Sequence, residues 1–168
     1  MGYEDKFVHA DGVVEHLNSV VPAITDPLLQ RKYVGFVSIV AVTVYELAIK
    51  EIFIDFSHKK HKILGNFTES FFDRINGRIK MEVVQKDYIP KFGVRYTEKF
   101  KRNIKSSKVV YLRDHGRDFC TSYNNIITWR NQFAHEGIIN SHTTYDDAVR
   151  TYEDGKQVIH CLAASMAR

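Results

Sequence analysis

Cysteine and proline are both scarce in this chain, at two and three in 168 residues. Cys120 and Cys161 supply neither a disulfide framework nor a metal-ligand spacing, so both read as reduced, partly buried thiols of a cytoplasmic protein. With so little proline, 44% hydrophobic and 26% charged residues, disorder is not expected; the composition predicts one domain, residues 1–168, with a proper core. Long apolar runs are missing too. Residues 33–45 carry no charge, but these 13 positions include Gly35, Ser38 and Thr43 and fall short of the roughly 20 that a spanning helix needs. Glu4 and Asp5, without an apolar stretch around them, do not make a signal peptide. The chain has no Gly-rich phosphate loop, serine elbow or paired-carboxylate constellation, and no internal repeats or long linkers.

What the sequence does have is helical periodicity. Val13, Val14, Leu17 and Val20 or Val21 share one side of a helix over residues 11–21, closed by Pro22. Asp26 or Thr25 caps the next, with Pro27 in its first turn; it runs to about residue 57 with Phe36, Val40, Val44, Leu47 and Phe53 in the core. The many valines and isoleucines from 34 to 44 would suit a strand. Length, and the Glu46–Lys50 step of four, decide for helix. Further helices are predicted over residues 67–75, ended by Asn76-Gly77; 79–89; 96–104, before a polar break at Ser106-Ser107; 114–135, stopped by Gly137; and from Thr143 or Thr144 to the end. The expected class is all-α, an antiparallel helical bundle with additional short helices.

Charge is uneven along the chain. Residues 50–117 hold 17 Lys and Arg against 8 Asp and Glu, while the remainder is mildly acidic. A basic middle suggests a polyanionic partner such as RNA; a solvated lysine-rich face is the plainer alternative. Lys50 opens this region, and Lys59, Lys60 and Lys62 cluster with His58 and His61, where phosphate contact is one reading. The two histidines lack a further ligand at matching spacing, so a solvated basic turn is favoured over a metal site. Around Tyr96 and Phe100 the rings are expected in the core and Lys99, Lys101, Arg102 and Lys105 in water, with base stacking the minor reading.

The most informative segment is Arg130-Asn131-Gln132-Phe133-Ala134-His135. Phosphodiester cleavage needs a group that moves a proton and a group that neutralises phosphate charge; a histidine and an arginine are suited to those tasks. Residues five apart on a helix are separated by about 140° and about 7.5 Å of rise, so Arg130 and His135 do not stack. Asn131 and His135, four apart, share a face. The spacing hints at a site completed by a second copy across a two-fold axis. His135 also lies in the last turn before Gly137, where the helix dipole favours a cation, as a general acid requires. Trp129 and Phe133 read as core or dimer-interface residues.

The run Trp129-Arg130-Asn131-Gln132-Phe133-Ala134-His135, followed by Glu136-Gly137 and a Ser/Thr-rich lead into a final helix, resembles the ribonuclease motif of HEPN domains. That motif is Arg, four to six residues, then His, often with Asn straight after Arg. The chain looks most similar to the RiboL-PSP and MAE-type branch, associated with prokaryotic toxin and defence systems, over about residues 10–168. The resemblance implies a cytoplasmic, metal-independent endoribonuclease of toxin or antiphage type that uses no cofactor. It implies a homodimer with RNA as substrate, and an antitoxin or regulatory protein as a further partner. By the same resemblance His135 moves the proton, Arg130 stabilises the transition state, and Asn131 positions phosphate or imidazole. Glu46 either orients Arg130 by a charge-assisted hydrogen bond or pairs on the surface with Lys50. The alternative is a non-catalytic HEPN-type module that binds RNA, nucleotide or a protein partner.

Overall fold

A computed structural model describes residues 2–139 and 142–167. Among them every regular element is helical: α1 (Phe7–Val20), α2 (Pro27–His58), α3 (Lys62–Phe72), α4 (Met81–Val83), α5 (Val94–His115), α6 (Phe119–Glu136) and α7 (Tyr145–Met166). The expected all-α bundle is what forms. No helix among the described residues is long and apolar enough to cross a membrane.

The 32-residue α2 is the spine, packing against α1, α3, α6 and α7, while α5 lies on α7 and α6. It starts where Asp26 accepts a hydrogen bond from the Leu28 amide (2.9 Å), with Pro27 just inside, where a missing N–H costs nothing. Val34, Val37, Ala41, Val44, Tyr45, Ala48 and Phe53 bury completely or nearly so. Two glycines permit the close crossings. A Cβ on Gly35 would meet the Phe133 ring of α6 at 2.2 Å, and one on Gly155 of α7 would meet the Tyr45 hydroxyl at 2.3 Å. Tyr45 donates that hydroxyl to the Tyr152 carbonyl, joining α2 to α7 inside the core. Gly155 is therefore where α7 comes close enough to α2 for that bond, and it sits inside a helix that continues past it.

Several boundaries differ from expectation. Helix α1 begins four residues earlier than predicted, because Phe7 and Ala10 are core residues too. Phe36 and Leu47, assigned to the core, are 45% and 44% exposed. Helix α3 covers Lys62–Phe72, and Asn76-Gly77 lies beyond its end as a separate turn with positive φ at both residues. The predicted helix over 79–89 is a short α turn, a wide turn over Val84–Tyr88 and a tight turn over Ile89–Phe92 around Pro90. Ser106-Ser107 does not break α5. Ser106 satisfies its hydroxyl on the Asn103 carbonyl, so two serines are accommodated inside one 22-residue helix. Gly116, left-handed at φ +67, ends α5 and Asp118 caps α6, so the motif helix starts at Phe119 and not near 114. Thr144 caps α7 in a reciprocal pair with Asp147. Asn140 and Ser141, in the Ser/Thr-rich lead into α7, lie outside the described residues.

Candidate active site

Helix α6 delivers the motif to the surface in two halves. Its first half is core: Phe119, Tyr123, Ile126 and Ile127 are buried. Its second half surfaces progressively, with Arg130, Asn131, Gln132 and Phe133 half-buried and Ala134, His135 and Glu136 exposed. Phe133 anchors this end by sitting on Gly35 and edge-on to Phe36 at 5.5 Å. Gly137, at φ +69, closes the helix by donating its amide to the Phe133 carbonyl.

Arg130 and Glu46 meet at Gly77. One terminal guanidinium nitrogen of Arg130 donates to the Gly77 carbonyl (3.3 Å), and the Gly77 amide donates to Glu46 Oε2 (2.5 Å). The other Glu46 oxygen holds the Lys50 ammonium at 2.9 Å. Both readings of Glu46 thus apply in part. It pairs with Lys50, and it acts on Arg130 indirectly, through the backbone of Gly77. Gly77 is required twice: its φ is +76°, and a Cβ there would lie 2.3 Å from the Arg130 guanidinium.

The turn carrying Gly77 is pinned from several sides. Tyr88 donates to the Arg78 carbonyl (2.7 Å), Tyr123 donates to the Ile79 carbonyl (2.6 Å), and Met81 donates its amide to Asn124 (3.4 Å). Ile75 and Ile79 plug the turn into the core. Burial pushes the phenols of both Tyr88 and Tyr123 above the ordinary value, so each remains a neutral donor. The partner of Arg130 lies 53 positions away in sequence, too far for helical spacing to indicate it. The Asn76-Gly77 pair is its visible signal in the sequence, and it forms a separate turn instead of the expected helix cap.

Two shallow clefts flank Arg130. One, of about 250 Å³, is lined by Ile39, Thr43, Glu46 and Gly77; the other, of about 320 Å³, by Arg78, Lys80, Ile127 and Asn131. Arg130 forms part of both, and among the described residues no carboxylate lies within ion-pair distance of it. Two polar atoms of the motif, Arg130 Nε and Gln132 Oε1, are buried without a hydrogen-bond partner there. His135 lines neither cleft. Within one chain Arg130, Asn131 and Glu46 gather around Gly77, and His135 stands apart on the exposed last turn.

The remaining predicted contacts lie elsewhere. Lys59, Lys60 and Lys62 sit around the C-terminal end of α2, 13 or more residues past Glu46 and so about 20 Å along the helix. Lys60 lies 5.3 Å above the Phe56 ring. His58 covers Gly65, and His61 caps α3 by accepting from the Ile63 amide. Both imidazoles thus have structural positions, and no group of three or more metal-ligating side chains occurs among the described residues. Cys120 is half-buried and Cys161 buried, both free. Burial, with Asp118 nearby, pushes the Cys120 thiol up to about 12, which leaves it unreactive at neutral pH.

Comparison with curated proteins and with solved structures gave no match. A family model described as RiboL-PSP-HEPN matches residues 12–167, from the first helix to the end of the last. That span takes in most of α1, the whole of α2 to α7 and the Arg130–His135 motif, and the chain belongs to the RiboL-PSP-HEPN family.

Proposed function

We propose that this chain is an endoribonuclease of toxin or antiphage-defence type that works as a homodimer without metal. The observation that carries the reading is the state of Arg130. Its guanidinium is held by a backbone carbonyl instead of a carboxylate, opens on two clefts, and keeps one buried nitrogen without a partner. A cation left uncompensated in this way suits an anionic ligand such as a phosphodiester. Asn131 stands beside it in one cleft.

In the proposed reaction an RNA 2′-hydroxyl attacks the adjacent phosphorus and the bond to the 5′-oxygen breaks. The hydroxyl proton passes to a base, and the leaving oxygen takes up a proton. The products are a 2′,3′-cyclic phosphate and a 5′-hydroxyl. His135 serves as base or acid, Arg130 neutralises the pentacoordinate transition state, Asn131 positions the phosphate or the imidazole, and Glu46 holds the Gly77 turn on which Arg130 rests. His135 lies outside the clefts of its own Arg130, so the reading takes the histidine from a second chain. An exposed apolar ridge supports that pairing: Phe36, Ile39 and Leu47 on α2 are 45%, 37% and 44% exposed, and Ile39 lines the Glu46 cleft.

The second reading is a non-catalytic module binding RNA, nucleotide or protein, which the separation of His135 from Arg130 favours. Purified wild-type and His135→Ala protein incubated with total RNA in EDTA distinguish the two. Cyclic-phosphate ends from wild type, with activity down by about 100-fold or more in the variant, support the nuclease. Intact RNA from both supports the module.

A further inference from the structure

A third cavity lies beside the Arg130 clefts, and the proposed chemistry leaves it unused. It has a volume of about 430 Å³ and is walled by Phe67 and Phe71 of α3, by Arg74 and Arg78, and by Asp87 and Lys91. Three cations face one carboxylate. Neither arginine has an ion-pair partner among the described residues, and Lys91 rests 5.3 Å above the Phe71 ring. Phe67 is 71% exposed at the rim, so its ring adds almost nothing to the core. Arg78 is shared: it also lines the cleft formed by Arg130 and Asn131.

We infer that this cavity is a subsite for single-stranded RNA, adjoining the Arg130 cleft and holding a nucleotide that flanks the cleaved bond. It rests on the ribonuclease reading only for what happens next door. A base stacks on Phe67, and backbone phosphates lie against Arg74, Arg78 and Lys91. An exposed ring interleaved with unpaired cations matches how unpaired strands are held, since every base offers a π-face and every link a negative charge. Duplex RNA offers the same phosphates but keeps its bases stacked inside, so Phe67 would gain nothing from it. Asp87 faces the same space and disfavours simple anions, which makes the aromatic contact necessary for binding. Lys59, Lys60 and Lys62, for which the sequence offers phosphate contact as one reading, stand at the far end of α2. This second basic group is dispersed over residues 74–91 and becomes visible only when the turns fold together.

The test is fluorescence anisotropy of a labelled single-stranded 2′-O-methyl oligonucleotide, which has no attacking hydroxyl, against the full chain. Phe67→Ala should weaken single-strand binding about tenfold and leave duplex binding unchanged. Arg74→Gln combined with Lys91→Gln should lower the slope of log affinity against log salt by about 1.4, as expected for two lost phosphate contacts on a single strand. Thermal unfolding of each variant confirms the fold, which exposed positions leave intact. Equal single-strand binding by Phe67→Ala and wild type overturns the subsite, as does a change of self-association instead of RNA affinity. RNA bound through Phe67 but never cleaved by wild type supports the subsite and removes the nuclease. RNA cleaved normally by Phe67→Ala, with unchanged affinity, removes the subsite alone.

Discussion

Gly77 is the residue on which the Arg130 arrangement turns, since its amide and carbonyl connect Glu46 to Arg130. Gly77→Ala places a methyl against the guanidinium and forces an L-residue into a left-handed backbone, a strain of about 1–2 kcal/mol. Thermal unfolding should shift down by about 2–8 °C, whereas RNA cleavage should fall much further, because the guanidinium itself is displaced. A loss of activity no larger than the loss of folded protein would count against Arg130 as the transition-state group. Glu46→Gln keeps the shape but weakens the charge-assisted bond to Gly77 and releases Lys50; a few-fold drop in cleavage with little change in stability is expected. Arg130, Asn131 and His135 could be read from the chain because they are neighbours on one helix with a recognisable spacing. Gly77, Tyr88 and Tyr123 could not, because the sequence does not reveal which distant carbonyl a buried phenol will meet.

At the scale of elements, α5, α6 and α7 are tied by one buried carboxylate. Asp154 of α7, only 1% exposed, accepts from Tyr111 of α5, Ser122 of α6 and two nitrogens of Arg117 in the link between those helices. Burial alone would raise its pKa, but the bonds from Arg117, Tyr111 and Ser122 outweigh it and hold the carboxyl below its ordinary value. A depressed folded pKa means stability fully present above about pH 3.8 and lost as pH falls through the lower folded value. Asp154→Asn should therefore cost about 2–3 kcal/mol at neutral pH, discounted because Arg117 is partly exposed. The gap between variant and wild type, followed by denaturant titration, should narrow below pH 4; a constant gap would remove the charge from the account. Helix identity was readable here from period and caps, as Asp26, Thr144 and Gly137 show. Helix ends were not always readable. Ser106-Ser107 looked like a break and is interior, while Gly116 marks the real boundary between α5 and α6.

For the whole molecule, the proposed chemistry requires an exposed His135 to meet an Arg130 that opens on clefts His135 does not line. A two-fold pairing over the α2 ridge would bring one chain's histidine toward the other's guanidinium, since facing surfaces repeat across such an axis. Leu47→Asp should then convert dimer to monomer in sedimentation and remove cleavage, while leaving unfolding close to wild type, because Leu47 is 44% exposed. Complementation is the stricter test. Arg130→Ala and His135→Ala proteins, each inactive alone, are mixed in equal amounts under conditions where subunits exchange. Half the dimers become mixed, and in each of these one site receives an intact arginine from one chain and an intact histidine from the other. About a quarter of wild-type activity should return if each site draws on both chains. A same-chain site regains nothing under any mixing ratio, because every chain then carries a defect in its own pair. Recovery that scales with the product of the two concentrations would identify the shared site; continued silence with subunit exchange demonstrated would return His135 to the chain that holds its Arg130.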